Sequence, residues 1–153
     1  MTILEVLKKI KHLDRKRETS IERIKRWGSH LDNETSPYDV SKLVQSVNSF
    51  IEEIAKLRHL LHKVNITQVV KFEGKNTSLD ELIIIKTYIL PNKIATLKEL
   101  RRKEKCYGEP ESAKVINNFD HAERDKQIDK YENSLAELDS ILDSLNISIQ
   151  VDE

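Results

Sequence analysis

From Val40 to Val64 an apolar residue returns every three or four positions without a gap: Val40, Leu43, Val47, Phe50, Ile54, Leu57, Leu61 and Val64. Such spacing keeps one side of an α-helix apolar over its whole length, and no strand can carry it, because a strand changes face at every residue. These are the a and d positions of a heptad repeat. Val44, Ile51 and Leu60 widen the stripe beyond the seam that two helices share, so the spacing predicts more than one neighbouring helix. Only 3 glycines and 3 prolines interrupt 153 residues of which 34% are charged, a balance that suits long helices with laced polar faces. A chain of this size is expected to form one helical domain over 1–153.

The remaining segments extend this pattern. Thr2 and Glu5 make a capping box, in which each side chain satisfies an orphan donor at a helix start. Ile3, Val6, Ile10, Leu13, Ile24 and Trp27 continue the stripe, with Arg17 and Ser20 interrupting it. The first helix is thus predicted over 2–27, ended by Gly28 in a left-handed cap. Ser36 followed by Pro37 predicts a second helix over 37–64. Ser78 with Glu81 opens a third over 78–105, with a kink near Pro91, which loses a backbone hydrogen bond. Asp120 caps a fourth over 120–146, striped by Ile128, Tyr131, Leu135, Leu138, Leu142 and Leu145.

Between helices two and three the period changes, and residues 68–72 favour a strand, followed by a turn at Glu73-Gly74-Lys75. Ile147, Ile149 and Val151 alternate as in a half-buried strand. Residues 106–119 read as a long connection with a strand at Lys114-Val115-Ile116. Four antiparallel helices return both 68–72 and 147–151 to one pole, where the two are expected to pair. The predicted class is all-α: an antiparallel four-helix bundle of coiled-coil hairpins with a small two-stranded β element at one pole.

Charge limits the partners. The net charge is zero, yet residues 1–30 carry 9 basic and 4 acidic groups, and residues 109–153 carry 4 basic and 12 acidic groups. That polarity points to helices pairing within or between subunits and argues against duplex nucleic acid, which selects basic domains. Cys106 is the single cysteine, which excludes an internal disulfide and favours a reducing compartment. The first residues hold no signal-like apolar core, and no long apolar run occurs, so a soluble, cytoplasmic protein with no membrane partner is expected.

The run from Leu60 to Thr67, Gly74, and the run Ser78-Leu79-Asp80-Glu81-Leu82 resemble the centre of the septicolysin-like family of bacterial and phage helical proteins. Leu138-Asp139-Ser140-Ile141 with Asn146 adds a second match. The resemblance spans about half the chain. It implies a helical, oligomeric architecture with a loop pole shared by the second and third helices, and it transfers no catalytic residue.

The sharpest local chemistry is Gly74-Lys75-Asn76-Thr77-Ser78, where a glycine turn, a lysine and hydroxyls stand before a helix start and suit an anion. A Walker loop needs a glycine where Val69 stands, so nucleotide hydrolysis is not expected, and the alternative is a plain turn and cap. Lys71 adds charge at this pole if it shares a face with Lys75. At the opposite pole Arg23, Lys25 and Arg26 are expected to gather with Arg101, Arg102, Lys103 and Lys105, either to recognise phosphate or carboxylate or to meet acidic helices. His59 and His62 are too few for a metal site, and Cys106 has no histidine assigned to it as a base. Glu52 and Glu53 point to different faces of their helix and cannot act as an acid–base pair. Neither an enzyme nor a cofactor is expected. The predicted function is a non-enzymatic homo-oligomeric binding protein that captures a small anionic, nucleotide-like ligand, as a phage counter-defence sponge for an immune signal molecule would. Its alternative is a coiled-coil module that engages a host protein and no small ligand.

Overall fold

The computed structural model describes residues 1–152. Helix takes up 66% of the chain, which agrees with the helical class expected from the heptads. In chain order the elements are α1 (Ile3–Trp27), α2 (Val40–Thr67), β1 (Val69–Phe72), β2 (Lys75–Ser78), α3 (Leu79–Ile84), a π-helical turn (Ile85–Ile89), α4 (Leu90–Lys98) and α5 (His121–Ser148). From α3 to α4 the helix is continuous, so the described residues form four helical rods and one small antiparallel sheet. The chain gathers into two compact units, Met1–Leu79 with the segment from Ser144 onward, and Asp80–Asp143.

The first unit is built on α1 packed against α2. The connection over 28–39 is short beside two helices of 25 and 28 residues and turns on itself through the Glu34 N–H bond to the Leu31 carbonyl at 3.0 Å. Arg23, near the end of α1, lies over the ring of Tyr38, just before α2, at 4.8 Å, so α2 starts beside the end of α1 and returns antiparallel to it. Ile3, Val6, Ile10 and Leu13 of α1 and Val47, Ile54 and Leu57 of α2 are buried, all on the heptad stripe. Lys9 meets Glu53 at 2.8 Å. Where Arg17 and Ser20 interrupt the stripe, Ser20 is buried and Arg17 turns to Asp14 at 3.3 Å. Of the residues that widen the stripe, Leu60 is half-buried, whereas Val44 and Ile51 remain 43% and 46% exposed.

Helix ends follow the burial pattern more closely than the cap residues alone suggested. The Thr2–Glu5 box forms as expected, with the Glu5 N–H donating to Thr2 Oγ1 at 3.2 Å and the Thr2 N–H to Glu5 Oε2 at 2.8 Å. Asp120 likewise accepts from the N–H groups of Ala122 and Glu123 at 2.8 and 3.1 Å. The start predicted at Ser36 and Pro37 is corrected: Asp39 caps α2 by accepting from the Lys42 N–H at 3.2 Å, and Ser36 bonds to Tyr38 instead. Gly28 is right-handed, φ −62°, and its N–H reaches the Ile24 carbonyl at 2.8 Å, so the expected left-handed cap is absent. Helix α4 stops at Lys98 and not at 105, because the next turn, Arg101–Lys105, offers four cations and no apolar face to bury.

The break expected around Pro91 takes the form of the π-helical turn. The Leu90 N–H reaches back five residues to the Ile85 carbonyl. Pro91 has no N–H for the carbonyls behind it; beside the break Asn92 Nδ2 donates to the Tyr88 carbonyl at 2.7 Å and Thr87 Oγ1 to the Ile83 carbonyl at 2.7 Å. In this second unit Leu82, Leu90, Ile94, Leu138 and Leu142 are buried. Lys86 pairs with Asp139 at 2.6 Å and Lys98 with Glu132 at 3.2 Å, tying the α3–α4 rod to α5.

The strand pairing differs from expectation. β1 pairs with β2 in register Val69–Ser78, Val70–Thr77, Lys71–Asn76 and Phe72–Lys75, not with 147–151. The two-residue link Glu73-Gly74 has φ +47° and +79°, the doubly left-handed turn that matches strand twist. A link that short closes at far lower entropy cost than a pairing with the distant C-terminal segment. That segment stays helical to Ser148 and then pairs with the N-terminus: the Ile3 N–H donates to the Ile149 carbonyl at 3.2 Å, the Val151 N–H to the Met1 carbonyl at 2.7 Å, and Thr2 bridges to Gln150. Residues 114–116 form no strand.

Candidate functional site

The hairpin separates the two lysines that the sequence placed together. Strand residues alternate faces and cross-strand partners share one, so Lys71, Asn76, Val69 and Ser78 lie on one face, and Lys75, Thr77, Val70 and Phe72 on the other. Phe72 is buried, which marks the second face as the packed one, and Lys75 sits at its exposed end. The backbone of 75–78 forms the β2 ladder, and the Leu79 N–H bonds to the Gln68 carbonyl at 3.0 Å. The N–H groups of Lys75 and Thr77, at the hydrogen-bonded pairs of the ladder, and that of Leu79 are therefore committed to the sheet and its exit.

Arg101 and Arg102 also part. Arg101 folds back on the end of α4, donating from Nε to the Lys98 carbonyl at 3.2 Å and meeting Glu99 at 3.5 Å, a basic cap on a helix C-terminus. Arg102 faces an open groove of about 840 Å³ within the 99–120 connection, lined also by Lys103, Lys105, Lys114, Glu104 and Glu111. Of the basic pole expected from sequence, Arg23, Lys25 and Arg26 belong to the first unit and residues 101–105 to the second. Arg23 lies over the Tyr38 ring at 4.8 Å, Arg26 over Trp27 at 5.5 Å, and Lys25 pairs with Glu22 at 2.8 Å.

Two arms frame the groove, Arg102–Lys105 and Glu111–Val115. Between them Gly108 adopts φ +93°, and the Glu109 N–H closes a turn on the Cys106 carbonyl at 3.2 Å. Glu109 organises this turn: its carboxylate takes Lys103 Nζ at 2.8 Å and the Cys106 N–H at 3.0 Å. The hydrogen bond from Lys103, and after it the Cys106 N–H, hold the Glu109 carboxyl below its ordinary range, so it stays ionised and neutralises Lys103. Lys105 Nζ crosses to the Glu111 carbonyl at 3.0 Å and joins the arms. Arg102 and Lys114 make no ion pair or hydrogen bond with any described residue. One free cation thus stands on each arm. Lys114 was not singled out from sequence, where it belonged to an expected strand; its signal is a base returning across the Gly108–Pro110 turn toward the basic run 101–105.

Elsewhere in the second unit, α4 and α5 border a smaller depression of about 310 Å³ lined by Asn92, Lys93, Thr96, Leu97, Gln127 and Tyr131, with Lys93 over the Tyr131 ring at 5.4 Å. Asn92 and Thr96 are already bonded within their own helix. His59 and His62 are exposed on α2, and among the described residues no three His, Cys, Asp or Glu side chains converge as a metal site would require. No helix among them is long and apolar enough to cross a membrane.

Comparison with protein-family models, with curated proteins and with solved structures found no match.

Proposed function

We propose that this chain is a non-catalytic helical binding protein that captures a small phosphate-bearing anion in the groove of the 99–120 connection. The observation that carries the reading is the pair Arg102 and Lys114, two cations on facing arms with no acidic partner of their own, beside Lys103 and Lys105, which are already engaged. An arginine offers a planar fork for phosphate oxygens, and a lysine opposite supplies a compact second charge. A groove of about 840 Å³ is in the size range of sites for nucleotide-sized ligands. Sequestration of a nucleotide-like signal molecule is the finer form of this reading. Titration calorimetry with inorganic pyrophosphate and a panel of linear and cyclic nucleotides tests it, alongside mass spectrometry of small molecules released on heating. Saturable binding by at least one of these anions is expected; an empty protein that binds none of them overturns the reading.

A second reading, a helical module that engages another protein, draws on a different observation. Val44 and Ile51 stand one heptad apart on α2 and Leu7 lies on α1, each more than two-fifths exposed, the spacing by which an apolar helix face seats in a partner's groove. A Val44→Glu/Ile51→Glu double variant is expected to lose a stoichiometric protein partner that the unaltered chain retains from lysate. Retention by both would dismiss α2 as the contact.

A further inference from the structure

Building on the anion-capture reading, we propose that Arg124 is the positioning residue that closes the 99–120 connection and sets the two basic arms of its groove face to face. Arg124 lies in the first turns of α5, outside the groove, and its side chain is only 20% exposed. Its Nη1 donates to the carbonyl of Leu100, where the chain enters the connection. Its guanidinium lies 5.5 Å from the ring centroid of Phe119, where the chain leaves. Nε and Nη2 both reach Asp125 Oδ1, at 2.8 and 2.7 Å, which fixes the plane of the group.

One guanidinium therefore holds both ends of the connection. Phe119 is held in turn by the His121 ring at 4.6 Å, and His121 Nε2 lies 3.2 Å from Asn117 Nδ2, so the exit is ordered over several residues. Arg102 follows Leu100 by two residues and Lys114 precedes Phe119 by five. The separation of the free cations is thus set close to the clamp. Across the turn at the far end Lys105 joins the arms through the Glu111 carbonyl, and Lys103 reaches Glu109. Closing a flexible segment of this length costs entropy, and a preformed pair of cations binds an anion without that cost falling on the ligand. Lysine cannot replace the clamp in full, because a single ammonium cannot fork to Asp125, lie over Phe119 and bond to Leu100 at once.

The test compares the unaltered chain with Arg124→Ala and Arg124→Lys by hydrogen exchange and by calorimetry with inorganic pyrophosphate, far-UV circular dichroism confirming that the helices persist. Faster exchange is expected over 101–118 in Arg124→Ala, with α1 and α2 unchanged. Pyrophosphate affinity is expected to fall about tenfold, the factor that accompanies loss of one charge-assisted hydrogen bond. Arg124→Lys should fall between the two, a graded rescue that a general loss of stability would not give. If the unaltered chain binds pyrophosphate and Arg124→Ala binds it equally well, or exchanges equally slowly over 101–118, the positioning role is overturned. If the unaltered chain binds neither pyrophosphate nor any nucleotide of the panel, the anion site itself is overturned instead.

Discussion

Single side chains differ here in how much of their charge is already spent. Lys103 is neutralised by Glu109, whereas Arg102 and Lys114 face the groove without an acidic partner. Arg102→Ala and Lys114→Ala are each expected to weaken pyrophosphate binding about tenfold in low salt, and Lys103→Ala clearly less, as calorimetry would read it. At the other end of the chain Glu5 is held below its ordinary range, first by the Thr2 backbone N–H. A carboxylate with a lowered folded value contributes stability above its unfolded value and loses it as pH falls through the folded one. The melting temperatures of Glu5→Ala and the unaltered chain should therefore differ at pH 7 and converge in acid; a difference that persists at acid pH would remove the capping box as its source. Removing the reciprocal partner, Thr2→Ala, is expected to cost about 1 kcal/mol. Asp120 was legible only as a favoured cap residue, its stripe starting at Ile128, whereas the Thr2–Glu5 box was legible because it stands directly before an apolar stripe. Ser36 was misleading for the converse reason: it precedes Pro37, but the stripe starts at Val40, and Asp39 is the residue beside it.

Among the elements, α2 was the most legible, since a period sustained over four heptads leaves little choice of conformation, and its buried residues fall on the stripe. The hairpin was legible in part. Residues 69–72 favour a strand and Glu73-Gly74 favours a turn, but Lys75-Asn76-Thr77-Ser78 has no β-branched run to announce a partner. Its pairing is imposed by the turn. Gly74→Ala tests this directly, because an added methyl meets no atom within 4 Å and the only penalty is the left-handed φ of +79°. A destabilisation of about 1 kcal/mol is expected in urea unfolding, with loss of exchange protection across β1 and β2. Unchanged protection there would mean that the strands hold without the turn. Least legible was 99–120, where shape comes from scattered side-chain bonds, Lys103 to Glu109, Lys105 to the Glu111 carbonyl and Arg124 to the Leu100 carbonyl. None of these has a period or a fixed spacing to read.

At the scale of the chain, the first unit is closed by its own two ends. The segment after α5 gives the Ile3 N–H a partner in the Ile149 carbonyl, one of the donors at the start of α1 that no intrahelical carbonyl can reach. It also seats Val151 at 3% exposure, with its N–H on the Met1 carbonyl at 2.7 Å. Alternation of Ile147, Ile149 and Val151 marked this segment as half-buried, but periodicity names no partner, and β1 was taken by the shorter closure of the hairpin. The clasp joins residues about 150 apart, so much of the chain must be ordered before its bonds form. Val151→Ala should then act well beyond its own contacts. Loss of two buried methyl groups is expected to cost about 2 kcal/mol, and the melting temperature to fall by roughly 5 °C for a chain of this length. The amides of Ile3 and Val151 should exchange faster in this variant, while those of α4 keep their protection. Asp152→Ala, at an exposed position one residue further on, should change neither. If Val151→Ala melts with the unaltered chain, the ends meet without holding the unit together, and α1 with α2 supplies its stability alone.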